Sequence, residues 1–144
     1  MILICGIPNA GKTTYAKQFE NVINFDRVKG TNKQMRKRVL EMVRENPSAV
    51  VEGVYHKAED RRNLVIASGG GKIIWLDTPT DECVRREEAY RKRPTLLVEA
   101  CAKHFEPPTL DEGWDEIIII RGDDNVERIS REKQMFTEPY TRKR

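Results

Sequence analysis

Histidine and cysteine are scarce in this chain. There are two histidines, His56 and His104, and three cysteines, Cys5, Cys83 and Cys101. The histidines have no metal-ligand spacing, and an odd number of scattered thiols supplies neither a zinc site nor a disulfide framework. Cys5 and Cys101 fall in apolar patterns and read as small core residues. No run approaches the roughly 18 apolar residues that span a bilayer. The first apolar run, Met1-Ile2-Leu3-Ile4-Cys5, is too short for a secretory signal and leads straight into a glycine loop. A soluble, cytoplasmic protein is expected, with no membrane contact and no obligate protein partner. Neither sign of charge dominates: 26 Lys and Arg stand against 23 Asp and Glu, and the net +3 is too small to announce a nucleic-acid partner. Repeats and linkers are absent. Hydrophobic residues make up 38% and charged residues 34%, which is polar but globular, so residues 1–144 are expected to form one domain.

What is present begins at the sixth residue. Gly6-Ile7-Pro8-Asn9-Ala10-Gly11-Lys12-Thr13-Thr14 fits G-x-x-x-x-G-K-[ST], the loop that cradles nucleotide phosphates. An apolar strand precedes it and a helical pattern over residues 13–19 follows, the order the chemistry needs. Backbone N–H groups of the loop and of the helix start converge on an anion. Gly6 and Gly11 allow a close backbone approach, and Pro8, Asn9, Ala10 and Thr14 complete the cradle. Lys12 reaches the β- and γ-phosphates, and the Thr13 hydroxyl is the expected magnesium ligand. ATP with Mg²⁺ is the expected nucleotide.

Strand and helix signals then alternate. Strands are read at residues 21–25, 49–51, 73–76 and 117–120, and helices at 31–46, 59–68, from Asp81 with Thr80 as cap, and 96–105. Thr31 and Gln34 have the spacing of a capping box. A short last helix and a loose tail are expected beyond Asp123. Alternation of this kind gives an α/β fold: a parallel sheet of about five strands with helices on both faces. Ligands of such sheets bind beyond the carboxyl ends of the strands. Asp26, Glu52 and Asp77 each follow an apolar strand and so should share an edge with the phosphate loop.

Phosphoryl transfer asks for charge neutralisation and an aligned acceptor, and an alcohol acceptor must also lose a proton. Asp26 fits a general base, with Arg27 and Lys29 beside it to hold an anionic acceptor; it fits a turn cap equally well. Glu52 suits a magnesium-bound water, the acceptor, or a salt-bridged loop acid. Asp77 is a weaker candidate, because capping is as good an account of it. Arg85, Arg86, Arg91, Lys92 and Arg93 form a basic run ending at Pro94. Such a run suits a lid over the triphosphate, with Arg86 and Arg91 the candidates for catalysis, although Glu87 and Glu88 also permit surface ion pairs. A second basic cluster (Arg27, Lys29, Lys33, Arg36, Lys37, Arg38, Arg44) suits a polyanion or a solvated helix face. Trp75 and Trp114 read as core.

Taken together, these residues resemble the 5′-hydroxyl kinase domain of polynucleotide kinases, phage-type and animal. Ile23-Asn24-Phe25-Asp26 is similar to that family's strand ending in Asn-Arg-Asp, whose Asp is the base for the 5′-OH; Phe25 stands where the family has Arg. Lys29 falls where phage-type members hold a 3′-phosphate with Arg, and Val50-Val51-Glu52 where they have a strand ending in Asp. Residues 85–93 resemble the family's arginine-bearing lid. Phe105-Glu106-Pro107-Pro108-Thr109-Leu110-Asp111-Glu112-Gly113-Trp114 looks like the Phe-Glu-x-Pro-Thr-Leu-x-Glu-Gly-Phe segment of the animal domain. The resemblance implies a P-loop kinase fold, ATP–Mg²⁺, and a DNA or RNA 5′-OH end as acceptor. Apart from it, the residues also allow a P-loop kinase acting on a small-molecule hydroxyl and, as a more distant alternative, a nucleotide-dependent binding module.

Overall fold

Short apolar strands that can be buried on both faces dictate a sheet enclosed by helices. A computed structural model describes residues 1–91, 96–122 and 125–130. The sheet contains β1 (Ile2–Cys5), β2 (Ile23–Asn24), β3 (Val50–Gly53), β4 (Lys72–Leu76), β5 (Glu116–Ile120) and β6 (Val126–Ser130) in the order β2-β3-β1-β4-β5-β6. The first five are parallel and β6 returns antiparallel to β5. The helices are α1 (Lys12–Ala16), α2 (Asn32–Glu45), α3 (Ala58–Ser68), α4 (Thr80–Arg86) and α5 (Leu96–His104).

Alternation along β1 divides the interior in two. Leu3 and Cys5 pack with Val39 and Val43 of α2, Leu64 of α3 and Trp114. Ile4 packs on the other face with Ala16 of α1, Cys83 of α4 and Val98 of α5. Both faces are therefore covered, and each fully buried aliphatic side chain contributes on the order of 1.5–3 kcal/mol. Burial also pushes the Cys5 thiol up to about 12, as befits an inert core residue. No helix among the described residues is long and apolar enough to cross a membrane.

Several boundaries differ from the sequence expectation. The second strand has only two residues, because Phe25–Arg27 winds into a 3₁₀ turn capped by the Asn24 side chain. The helix after the phosphate loop ends at Ala16. Thr80 is the first residue of α4 and Pro79 its cap. The capping box of Thr31 and Gln34 is present. Beyond Asp123 the expected helix is a strand: β6 pairs residue by residue with β5, and Arg128 lies 3.6 Å from Glu116 across the ladder. Its exposed, charged side chains suit a guarded sheet edge. Trp75 is only half-buried and stacks on Phe105 with ring centroids 5.6 Å apart, whereas Trp114 is fully buried. Residues 92–95, 123–124 and 131–144 lie outside the described residues, as does the Arg91 side chain.

The segment running from Phe105 to Trp114 is held by one buried cation. Arg61 of α3 is fully buried and bonds Glu112 through both Nε (2.8 Å) and Nη2 (2.9 Å). It also donates to the carbonyls of Tyr55 and Glu106, each at 2.7 Å. Glu112 in turn accepts from Trp114 Nε1 and Thr109 N. Removing the cation strands a buried carboxylate, so Arg61→Leu is expected to lower stability by about 3–5 kcal/mol in urea unfolding; a loss under about 1 kcal/mol, the range of an exposed pair, would contradict it.

Candidate active site

The loop between β1 and α1 is shaped by backbone that few residues adopt. Gly11 sits at φ 103° as the cap of α1, and Asn9 takes φ 69°. At Gly6 a Cβ would lie 2.8 Å from the Leu76 carbonyl, so a side chain there would push β1 off β4. Ala10 is buried, Pro8 half-buried and Thr14 exposed, and the Thr78 hydroxyl donates to the Ala10 carbonyl at 2.8 Å. Lys12 folds back over the loop, its Nζ donating to the carbonyls of Gly6 (2.9 Å) and Ile7 (2.8 Å). Desolvation holds its pKa below the ordinary lysine value, with Cys5, Asp26 and Glu52 opposing that shift. The loop thus keeps a poorly hydrated cation that an incoming phosphate would satisfy.

On one side of Lys12 the acids converge. Thr13 Oγ1 donates to Glu52 Oε1 at 2.6 Å, and Asn24 Nδ2 donates to Glu52 Oε2 at 3.2 Å. The Asn24 Oδ1 accepts from Asp26 N at 3.0 Å. A polar run therefore crosses the carboxyl ends of three neighbouring strands, from β1 through β3 to β2. The turn-capping role belongs to Asn24 rather than Asp26. Among the described residues the exposed Asp26 carboxylate accepts no hydrogen bond, yet its charge reaches Lys12. Arg27 and Lys29 are exposed beside it, and the Lys29 carbonyl accepts from Arg38. Thr13 and Glu52 suit Mg²⁺, a hard cation held by one or two protein oxygens and otherwise by water and phosphate. Among the described residues no three His, Cys, Asp or Glu side chains converge as a protein cage would require.

On the other side lie the arginines. Arg86 donates Nη1 to the Asn9 carbonyl at 2.9 Å and Nε to Glu82 at 2.7 Å, so it rests directly on the phosphate loop. Arg85 turns outward to the same Glu82, whose carboxyl the two arginines hold down at about 2. After α4 the chain makes a π turn over Glu87–Arg91, and Asn9 Nδ2 donates to the buried Glu87 at 2.8 Å. The root of the expected lid is thereby tied to the loop. Asp77 pairs with Arg121 at 3.3 Å, an ion pair rather than a cap.

Asn24, Thr78 and the Asn9–Glu87 contact were not singled out in the sequence. Asn24 entered the sequence reading only as part of the Ile23–Asp26 match, without a role of its own. The two histidines, read as isolated, line a single cleft. Residues 105–114, read in the sequence as a family likeness, supply Glu112 to the buried ion pair with Arg61 and the core Trp114.

Since Lys12 is desolvated and, among the described residues, bonded only to carbonyls, Lys12→Met is expected to raise the unliganded melting temperature by a few degrees. The same change should abolish the stabilisation that ATP gives the wild type, read by thermal melts with and without nucleotide. A variant still stabilised by ATP would contradict that role. No family model matches the chain. It is 23% identical over 126 residues to the shikimate kinase of Corynebacterium glutamicum (strain ATCC 13032), covering 73% of this chain and 74% of that one. Its structure is similar to a gluconokinase from Sinorhizobium meliloti 1021 (TM-score 0.66, 14% identity, 85% of this chain and 83% of the other). A sugar kinase from Janibacter sp. HTCC2649 is similar too (TM-score 0.67, 15% identity, 85% and 86%). The α/β fold, with its mostly parallel sheet flanked by helices, is that of the P-loop kinases.

Proposed function

We propose that this protein is an ATP-dependent kinase that moves the γ-phosphoryl group to a hydroxyl of a small molecule. The observation that carries this reading is the run Thr13–Glu52–Asn24, which links the phosphate loop to the turn presenting Asp26. Lys12 exchanges its two carbonyls for phosphate oxygens. Thr13 and Glu52 would hold Mg²⁺, which would supply charge neutralisation. Asp26 accepts the acceptor hydroxyl's proton, and Arg86 stabilises charge on the transferring group. The relatives are named as a shikimate kinase, a gluconokinase and a sugar kinase, which favours a small hydroxyl compound over the polynucleotide end.

A polynucleotide 5′-OH end is the second reading, kept for one observation. Arg27 and Lys29 flank Asp26, and Lys33 and Lys37 continue the positive surface along α2, all of them exposed.

Label from γ-labelled ATP, offered with shikimate, gluconate and a 5′-OH oligonucleotide, decides between them. Transfer to a small hydroxyl is expected; transfer to the oligonucleotide alone would overturn the first reading. Asp26→Asn should keep ATP binding and cut turnover by roughly 10²–10⁴-fold, the scale of general-base catalysis. Near-normal turnover would remove Asp26 from the reaction. An oligonucleotide acceptor would show a KM rising steeply with salt, whereas a small acceptor should show a weak dependence.

A further inference from the structure

A groove of about 200 Å³ runs between the N-terminal halves of α2 and α3. It lies on the face of the sheet turned away from the glycine loop. Tyr55 and Leu64, which line it, pack with Leu3 and Cys5, whereas Ile7 and Ala10 of the glycine loop pack with Ile4 on the opposite face. Sites for nucleotides and drug-sized ligands hold roughly 300–1,000 Å³, so this one suits something smaller, of the size of a single tetrahedral anion.

The sequence of α2 sets its charge. Lys33, Arg36 and Lys37 have the i, i+3, i+4 spacing of one helix face, and that face is turned to the groove. Asp60 and Asn63 come from α3. Three cations against one carboxylate leave two net positive charges, the complement of a phosphate dianion. Arg36 Nε lies 3.7 Å from Asp60, too far for a hydrogen bond. Among the described residues the Arg36 guanidinium therefore keeps its donors open, and Lys33 and Lys37 pair with no carboxylate.

One observation separates this groove from a solvated helix face. Tyr55 is only 8% exposed, yet its hydroxyl makes no hydrogen bond among the described residues. Every fully enclosed side-chain nitrogen or oxygen among those residues has a partner, so the Tyr55 hydroxyl must be reachable from the groove. Burial raises its pKa above the ordinary tyrosine value, Asp60 adds to the rise and Arg36 opposes it. Both of those charges belong to the groove walls, which places the hydroxyl among them as a protonated donor. Its position is fixed beforehand. Tyr55 is held at φ 42°, a strained angle for a residue with a side chain, and Arg61 donates to its carbonyl at 2.7 Å. Gly53 is required beneath it, because a Cβ there would lie 2.9 Å from the Tyr55 ring. A donor that is buried, rigid and unbonded has little freedom left to lose when an anion arrives.

We infer that this groove is a second anion site, which seats a phosphate dianion, either inorganic or the terminal group of a small phosphomonoester. Arg36 presents forked donors to two of its oxygens, the Tyr55 hydroxyl donates to a third from the floor, and Lys33 and Lys37 add charge from the rim. A polynucleotide strand suits the groove less. Each of its phosphodiesters carries one charge and two unesterified oxygens, too few for the fork and the recessed hydroxyl together. None of these four residues is assigned to phosphoryl transfer, so the inference stands apart from the kinase reading.

Thermal melts of the whole chain in inorganic phosphate, set against chloride at equal ionic strength, test it. Lys12→Met serves as the background, since it removes the cation of the glycine loop. Phosphate should raise the midpoint beyond chloride in that background. Adding Tyr55→Phe should weaken the phosphate Kd about tenfold, the loss of one hydrogen bond to a charged group, and Arg36→Gln at least as much. Arg36 is partly exposed, so its variant stays readable even if Tyr55→Phe does not fold. Glycerol 3-phosphate in a parallel arm identifies the source: whichever of the two binds tighter is the natural form, and either result supports the site. The inference is overturned if chloride matches phosphate or if the phosphate response survives both substitutions. It is overturned equally if a 5′-OH oligonucleotide outbinds both phosphates and is weakened by the same substitutions.

Discussion

A single guanidinium, that of Arg61, sits where the two halves of this fold must be joined. Its partners come from the loop after β3 and from the segment leading into β5, stretches that no strand pairing connects. A fully buried ion pair is a poor source of net stability, because desolvation offsets most of its attraction. Its value here is geometric. Five donors in a fixed plane reach a carboxylate and two carbonyls at once, and no aliphatic side chain could set those three positions relative to one another. The tryptophan under the sheet and the walls of the cleft both inherit their placement from it.

The residues of the candidate site are distributed on the opposite principle. Glu52 lies in β3, while Lys12 and Asp26 lie just beyond β1 and β2, so three neighbouring parallel strands deliver them to one carboxyl edge. Contact between them is light: one hydroxyl, one carboxamide and a long-range field. Among the described residues Lys12 bonds only carbonyls and the Asp26 carboxylate accepts no hydrogen bond. Arg86, by contrast, is already seated on the loop carbonyl of Asn9. Positive charge thus stands on the loop before any nucleotide binds.

The parts legible in the sequence were those governed by local rules. The glycine loop, the capping box at Thr31 and the apolar runs of β1, β3, β4 and β5 each carry a short-range signature, and the structure shows all of them. β6 was missed because an edge strand needs no apolar run. Its Val-Glu-Arg-Ile-Ser pattern is stabilised by pairing with β5, a partner the local sequence does not reveal. The brevity of β2 was hidden too, since its end is decided by the Asn24 side chain capping the next turn. Residues 105–114 were read for kinship, while their physical role depends on Arg61, more than forty positions away in the chain. The two histidines looked isolated for the same reason: 48 positions separate them, and only the fold brings them to one cleft.

The strand order also fixes a length. β2 lies two places from β1, and hydrogen-bonded strands stand about 4.8 Å apart, so the span from phosphate cradle to acidic turn is about 10 Å before side chains reach inward. That interval is a gauge built from backbone alone, insensitive to which side chains line the floor between. Side chains on the loop after β3 can then change without altering that interval. Divergence among proteins of this architecture should concentrate in that floor, with the two ends of the gauge held constant.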